Sequence, residues 1–301
     1  MKIILQTLIF FFSFVITTNG FALETLEKGK KKGRIKFESV PVITLSQFLK
    51  GETNIKSIEI HGQLKFPKKK LTEPLPAVVL LHGSGGPRKG VKYWSKILEK
   101  LGLVTFIVDS NSARGCSLDS KSRCKNYSEH QGMANIVDAY RALELLSTHP
   151  QIDSNRIALM GFSVGGKATL YASVKRFQKM WGTPGLEFAA YIPFYPACNV
   201  AFDQDENISD KPVRIFYGEL DEWSSPIPCR EYVNRLRKAG KDATITIYPE
   251  AHHNFDHKPD ASAPRSMKST TNRSQCQFVE AAEYNLVVLK KDKNNSELEK
   301  L

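Results

Sequence analysis

Hydrophobic and polar positions change period along the chain, and each change marks a predicted element. Ser57-Ile58-Glu59-Ile60-His61-Gly62-Gln63-Leu64-Lys65-Phe66 alternates with period two, the pattern of a half-exposed edge strand. Ala77-Val78-Val79-Leu80-Leu81 is continuously apolar, as in a strand covered on both faces. Further short segments rich in apolar residues predict strands at Val104–Val108, Arg156–Met160, Phe188–Phe194, Val213–Tyr217 and Ala243–Ile247. Helical patterning falls between them, near Val91–Leu101, Met133–Ser147, Lys167–Ser173, Pro226–Ala239 and Phe278–Leu289. Strands alternating with helices predict an α/β fold, a mostly parallel central sheet covered by helices on both faces. Only about 18 residues separate Phe194 from Val213, too few for a folded lid domain. No internal repeat is present. One domain over residues 53–290 is expected, followed by a polar tail at 291–301.

The amino terminus follows a different logic. Lys2 precedes an apolar stretch from Ile3 to about Val15, and Thr17-Thr18-Asn19-Gly20-Phe21-Ala22 follows it. A positive residue, an apolar run and small residues at Gly20 and Ala22 make residues 1–22 a predicted cleaved signal peptide. Gln6 within the run and the small residues after it weigh against a membrane anchor. The mature protein is therefore expected in a periplasm or secreted, with no stable membrane insertion. Residues 23–52 are polar and basic and read as an arm.

The 301-residue chain carries a formal net charge of +12. Removing residues 1–22 takes away only Lys2, leaving +11. Much of the excess sits in Lys28-Gly29-Lys30-Lys31-Lys32-Gly33-Arg34 and Lys68-Lys69-Lys70. No aromatics interleave these runs and no nucleic-acid-binding module appears, so they read as solvated surface. All five cysteines lie in the mature part, and in an oxidising compartment an odd count leaves at least one unpaired. Cys116 and Cys124 are eight positions apart in one polar loop, and are expected to pair. Cys198 and Cys229 each follow a predicted strand at the same sheet end and form the second expected pair, leaving Cys276 free. No spacing resembles a zinc or iron–sulfur site.

The chemistry centres on Gly161-Phe162-Ser163-Val164-Gly165, between a predicted strand and a helix rich in small residues. A Gly-x-Ser-x-Gly run at such a junction is a nucleophile elbow, whose sharp turn lifts the serine hydroxyl clear of the sheet. Serine needs a base, an acid to orient that base and donors for an oxyanion. Gly218-Glu219-Leu220-Asp221-Glu222-Trp223 follows one later strand and supplies Asp221 as the candidate acid, with Glu219 and Glu222 as neighbours. Tyr248-Pro249-Glu250-Ala251-His252-His253-Asn254-Phe255 follows the last strand, with His253 the candidate base and His252 the fallback. Ser, Asp, His is the chain order of the α/β-hydrolase scaffold. The expected oxyanion donors are the amides of Val164 and of Ser84 in His82-Gly83-Ser84-Gly85-Gly86, with Gly85 next. That stretch lacks the Lys-Ser/Thr ending of a phosphate loop and the spacing of a dinucleotide loop. No cofactor or metal is required.

Together these residues resemble the dienelactone hydrolase family of α/β-hydrolases over roughly residues 55 to 290. Val108-Asp109-Ser110, Ala113-Arg114-Gly115, Ile152-Asp153 through Gly166, Phe194-Tyr195-Pro196 and Tyr248-Pro249 through Phe255 add to the likeness. The resemblance implies a single compact domain that hydrolyses small-molecule esters or lactones through an acyl-enzyme. The family's namesakes use cysteine as nucleophile, so Ser163 marks a serine branch and puts dienelactone itself in doubt. Arg114 is expected either to bind a substrate carboxylate at the pocket mouth or to tie down Asp109 or a carbonyl. Trp94 and Trp223 read as packing residues, and Trp223, beside Asp221, is also a candidate to line the site. A peptidase or acyltransferase on the same scaffold stays open, as does a non-catalytic binding module that keeps the fold.

Overall fold

The computed structural model describes residues 25–29, 32–68, 72–116, 132–256, 276–281, 284–291 and 298–300. In chain order the elements begin with β1 (Lys32–Ser39), α1 (Leu45–Lys50), β2 (Ile58–Lys65), β3 (Leu75–Leu81), α2 (Lys89–Lys100) and β4 (Val104–Asp109). A single 3-10 turn at Ser112–Arg114 precedes α3 (Met133–Ser147) and β5 (Ile152–Phe162). Then come α4 (Val164–Tyr171), α5 (Lys175–Trp181), β6 (Tyr191–Phe194), β7 (Val200–Ala201), β8 (Val213–Gly218), α6 (Pro226–Lys238) and β9 (Ala243–Tyr248). The last three strands are β10 (Cys276–Ala281), β11 (Asn285–Lys291) and β12 (Leu298–Lys300).

Eight strands form one sheet in the order β1-β2-β4-β3-β5-β6-β8-β9. From β4 to β9 every pairing is parallel, and only the β1 and β2 end is antiparallel. Val79 and Leu80 of β3, Val104 and Phe106 of β4 and Ile157 and Leu159 of β5 are fully buried, which is why Ala77–Leu81 of β3 reads as an unbroken apolar run and the central parts of β4 and β5 are rich in apolar residues. Helix α2 packs on β3 and β4, α3 on β1, β3, β4 and β5, α4 on β5 and β6, and α6 on β9. The predicted α/β-hydrolase architecture is observed.

β4 and β5 flank β3 on opposite sides, so the chain leaves β3 one way and leaves β5 the other. Connections that diverge from adjacent carboxyl ends open a crevice between them. Leu81 is paired with Gly161 in the β3–β5 register, which brings the loop after β3 alongside the turn after β5.

Four segments differ from expectation. Within the basic region read as an arm, Lys32–Ser39 is the outermost strand, antiparallel to β2, and Leu45–Lys50 is a helix with a capping box at Thr44 and Gln47. Ile35 and Phe37 are buried while Lys32, Arg34 and Lys36 face out, so a two-residue alternation lies beneath the charge run. With β1 added, β2 is not an edge strand but second from the edge. The predicted helix over Phe278–Leu289 is instead a β10–β11 hairpin reversing near Tyr284, whose φ is +61°. Phe278 and Val279 pair in parallel with Val200 and Ala201 of β7. A short apolar run carries no period that distinguishes helix from strand, and the available β7 edge decides. The expected polar tail begins inside β11 and includes β12.

Cys198 and Cys229 form a disulfide, as expected. Cys116 is also disulfide-bonded, while its expected partner Cys124 lies outside the described residues. The expected signal peptide lies outside them as well.

Candidate active site

The turn between β5 and α4 forces Ser163 to φ +54° and ψ −113°, a region that L-residues avoid at a cost of about 1–3 kcal/mol. Its glycines make the turn possible. A Cβ at Gly161 would lie 2.2 Å from the Gly165 carbonyl oxygen, and one at Gly165 would lie 2.5 Å from that of Leu81. Any side chain at either position would push α4 away from the sheet. The strain is held by the Ser163 amide donating to the Phe194 carbonyl at 3.0 Å and by the Lys167 amide donating to the Ser163 carbonyl at 2.8 Å.

Three side chains from three strand ends meet here. The Ser163 hydroxyl lies 3.1 Å from Nε2 of His253, and Nδ1 of His253 lies 2.7 Å from Oδ2 of Asp221. With Nδ1–H donating to the carboxylate, Nε2 is free to accept the serine proton. The amides of Trp223 and Ser224 donate to Oδ1 of Asp221 at 2.9 and 3.1 Å, which occupies the other carboxylate oxygen. The Asp221 side chain has no exposed surface and that of His253 retains 7%. The indole of Trp223 stacks on the imidazole and the ring of Tyr195 packs on it from 4.5 Å. The expected acid and base are thus joined to the expected nucleophile. Neither His252 nor Glu219 or Glu222 is needed for the arrangement.

Ser163 opens into a cleft of about 200 Å³ walled by His82, Gly83, Ser84, Phe162, Tyr195 and Trp223, with Arg88 and Asn254 also lining it. Val164 opens α4, where its amide lies at the positive end of the helix dipole. Across the cleft, Nδ1 of His82 lies 2.7 Å from the Gly83 carbonyl, and the Ser110 amide donates to Nε2 at 3.1 Å. His82 is therefore the neutral Nδ1–H tautomer, and burial holds its pKa below the ordinary 6.5. A peptide is planar and trans, so fixing the Gly83 oxygen sends the Ser84 N–H to the opposite side. The Asn111 amide group donates to the Ser84 carbonyl at 3.1 Å and fixes the next peptide too. Burial works against the Asp109 carboxylate, but bonds from the Ser112 hydroxyl and the Ser112 and Asn111 amides outweigh it and hold its pKa below the usual value.

Arg114 is not at the cleft. Its guanidinium is paired with both oxygens of Asp138 at 2.8 Å, and it also donates to the carbonyls of Ser110 and Val40. Both side chains are buried. The substrate reading of Arg114 is overturned, because the side chain is buried and both terminal guanidinium nitrogens are engaged by the protein's own interior; the carbonyl tie is what forms, and with Asp138 rather than Asp109 as the acid. Trp223 does line the cleft. Tyr195, Asn254 and Arg88 were not foreseen. Tyr195 follows a strand at the same sheet end as the other site residues, which is the signal that would have found it.

Residues 60–283 match the dienelactone hydrolase family. A protein of Bradyrhizobium sp, described as a probable 2-oxo-3-(5-oxofuran-2-ylidene)propanoate lactonase, is 26% identical over 212 residues, covering 68% of this chain and 83% of that protein. A Yersinia pestis protein assigned as a carboxymethylenebutenolidase is 28% identical over 234 residues, covering 71% and 82%. Among solved structures, a protein of Klebsiella pneumoniae assigned as a dienelactone hydrolase superimposes with a TM-score of 0.54 at 17% identity, covering 74% of this chain and 88% of that one.

Proposed function

We propose that this chain, which belongs to the dienelactone hydrolase family, is an exported serine hydrolase that cleaves small carboxylic esters or lactones through an acyl-enzyme. The observation that carries the reading is the hydrogen-bonded line from Ser163 through His253 to Asp221, at 3.1 and 2.7 Å, at the floor of an open cleft. His253 takes the serine proton as Oγ attacks the substrate carbonyl. Asp221, fixed by two backbone amides, keeps the imidazole in the tautomer that accepts it and stabilises the imidazolium that forms. The amides of Val164 and Ser84 receive the oxyanion, the second held in place by His82 and Asn111. His253 then gives its proton to the leaving alkoxide, and water activated by the same histidine releases the acid.

A cleft of about 200 Å³ with aromatic walls favours short or compact acyl groups. The names of the Bradyrhizobium and Yersinia relatives favour lactones and esters over peptides. Export is supported by the amino-terminal pattern of residues 1–22 and by the Cys198–Cys229 disulfide, which persists only where thiols are not kept reduced.

The test is hydrolysis of p-nitrophenyl esters from acetate to decanoate by the mature protein and by Ser163→Ala, with fluorophosphonate labelling alongside. Activity on short chains is expected, with turnover lowered at least about 10³-fold in the variant, as losses of a nucleophile are. A wild-type protein that neither cleaves an ester nor takes the label is a binding module, and the proposal fails.

A further inference from the structure

We propose that Asp256 is a positioning residue that holds the His253 loop against the elbow, acting through Tyr195 and Trp94. The proposal rests on the serine-hydrolase reading above. Asp256 lies three residues beyond His253. Its Oδ1 accepts from the Tyr195 hydroxyl at 2.7 Å and its Oδ2 from the Trp94 indole N–H at 2.7 Å. The two donors belong to different parts of the fold, Trp94 to the middle of α2 and Tyr195 to the turn after β6. One carboxylate therefore ties the histidine loop to two elements that the sheet holds rigidly.

Tyr195 connects that tie to the reacting groups. Its ring centroid is 4.5 Å from that of His253. Its backbone sits at φ +37° and its amide donates to the Phe216 carbonyl at 2.8 Å. The residue before it, Phe194, accepts the Ser163 amide. Tyr195 thus touches the base with its ring and stands one residue from the carbonyl that fixes the nucleophile. Burial, reinforced by the Asp256 charge, pushes the phenol pKa well up, so the hydroxyl remains a donor.

The residue type fits this task. An indole N–H only donates and so requires an acceptor, while a carboxylate offers one oxygen to each of two donors. The Asp221–His253 bond fixes one edge of the imidazole and leaves its distance from Ser163 to the loop that carries it. Displacement of a reacting group by about 1 Å lowers rates by about 10²-fold, so a tether behind the base has a direct readout in turnover.

The experiment compares wild type, Asp256→Ala, Asp256→Asn, Tyr195→Phe and the Tyr195→Phe/Asp256→Ala double variant in p-nitrophenyl acetate hydrolysis and fluorophosphonate labelling rate. Asp256→Ala is expected to lower kcat and the labelling rate by about 10- to 100-fold, with KM within about twofold. Asp256→Asn is expected to recover most of the loss, because its carbonyl accepts from Trp94 and its amide donates to the phenol oxygen. The double variant is expected to be no slower than Asp256→Ala, since Asp256→Ala already removes the bond that Tyr195→Phe deletes. A folded Asp256→Ala with wild-type kcat, or a loss that Asp256→Asn does not relieve, overturns the proposal. If Asp256→Ala fails to fold, Tyr195→Phe decides, since it keeps the ring and removes one bond, and a wild-type kcat there is equally fatal. A wild-type protein that takes no label defeats the serine-hydrolase reading and this proposal with it, whereas equal labelling of wild type and variants defeats this proposal alone.

Discussion

The indole of Trp223 lies on the imidazole of His253 with ring centroids 5.1 Å apart and planes inclined by only 12°. The backbone amide of the same tryptophan donates to Asp221, so Trp223 contacts the proposed base with its ring and the proposed acid with its main chain. Truncation to alanine removes only the ring contact. An aromatic pair is worth about 0.5–1.5 kcal/mol, so Trp223→Ala is expected to lower kcat by roughly 2- to 12-fold, and Trp223→Phe to retain most of it. Steady-state kinetics on a short p-nitrophenyl ester check this; equal values for all three proteins would leave the stack without a role.

His82 makes stability depend on pH in a defined direction. It is neutral in the folded protein and its pKa is held below the ordinary 6.5, burial being the main cause. The unfolded chain therefore binds a proton on His82 that the folded one refuses. The stabilisation is complete above about 6.5 and is lost progressively as the pH falls below it. His61, also shifted down mainly by burial, acts in the same direction. Urea midpoints are expected to decrease between pH 7.5 and 5.5, and His82→Gln to flatten the slope. An identical slope in the variant would mean that His82 is not the group responsible.

Arg114 and Asp138 form a buried fork-to-fork pair rather than a substrate clamp. Removing the cation strands the acid, with Ser39 its remaining side-chain donor. Arg114→Met is expected to destabilise the fold by about 3–5 kcal/mol, with Arg114→Met/Asp138→Leu recovering part of it. Chemical denaturation measures both. KM for a carboxylate-bearing ester, corrected for the folded fraction, should be unchanged, and a rise confined to such esters would return Arg114 to the site.

The Cys198–Cys229 bridge closes a loop with a sequence separation of 31 and joins the segment after Tyr195 to α6. Tyr217 crosses the same region, its hydroxyl lying 2.9 and 3.0 Å from the carbonyls of Pro196 and Ser224. Loss of a loop of this size from the constrained unfolded chain costs roughly 3–4 kcal/mol. The paired Cys198→Ser/Cys229→Ser variant is expected to melt roughly 6–16 °C lower by differential scanning calorimetry. An unshifted transition would mean that the bridge adds nothing to the surrounding packing.

The sequence by itself determined the features whose physics is local or ordered along the chain. The continuous apolar run of β3 and the nearly continuous one of β4 marked these strands, because a strand buried on both faces has no polar side to display. Gly161 and Gly165 around Ser163 marked the elbow because only a missing Cβ admits those carbonyl contacts. Asp221 and His253 were legible because each had to follow a strand, in that order, to reach one end of the sheet. Tertiary structure decided what depends on which groups arrive from elsewhere. Arg114 had a choice of anions, and α3 delivered Asp138 to it. Lys32–Ser39 read as a charged arm until β2 offered an edge for Ile35 and Phe37 to pack beside. Phe278 and Val279 had no helical or extended preference strong enough to settle their form until β7 supplied a partner. The tie from Asp256 to Tyr195 and Trp94 spans 61 and 162 positions, and no pattern of neighbours along a chain encodes a hydrogen bond of that reach.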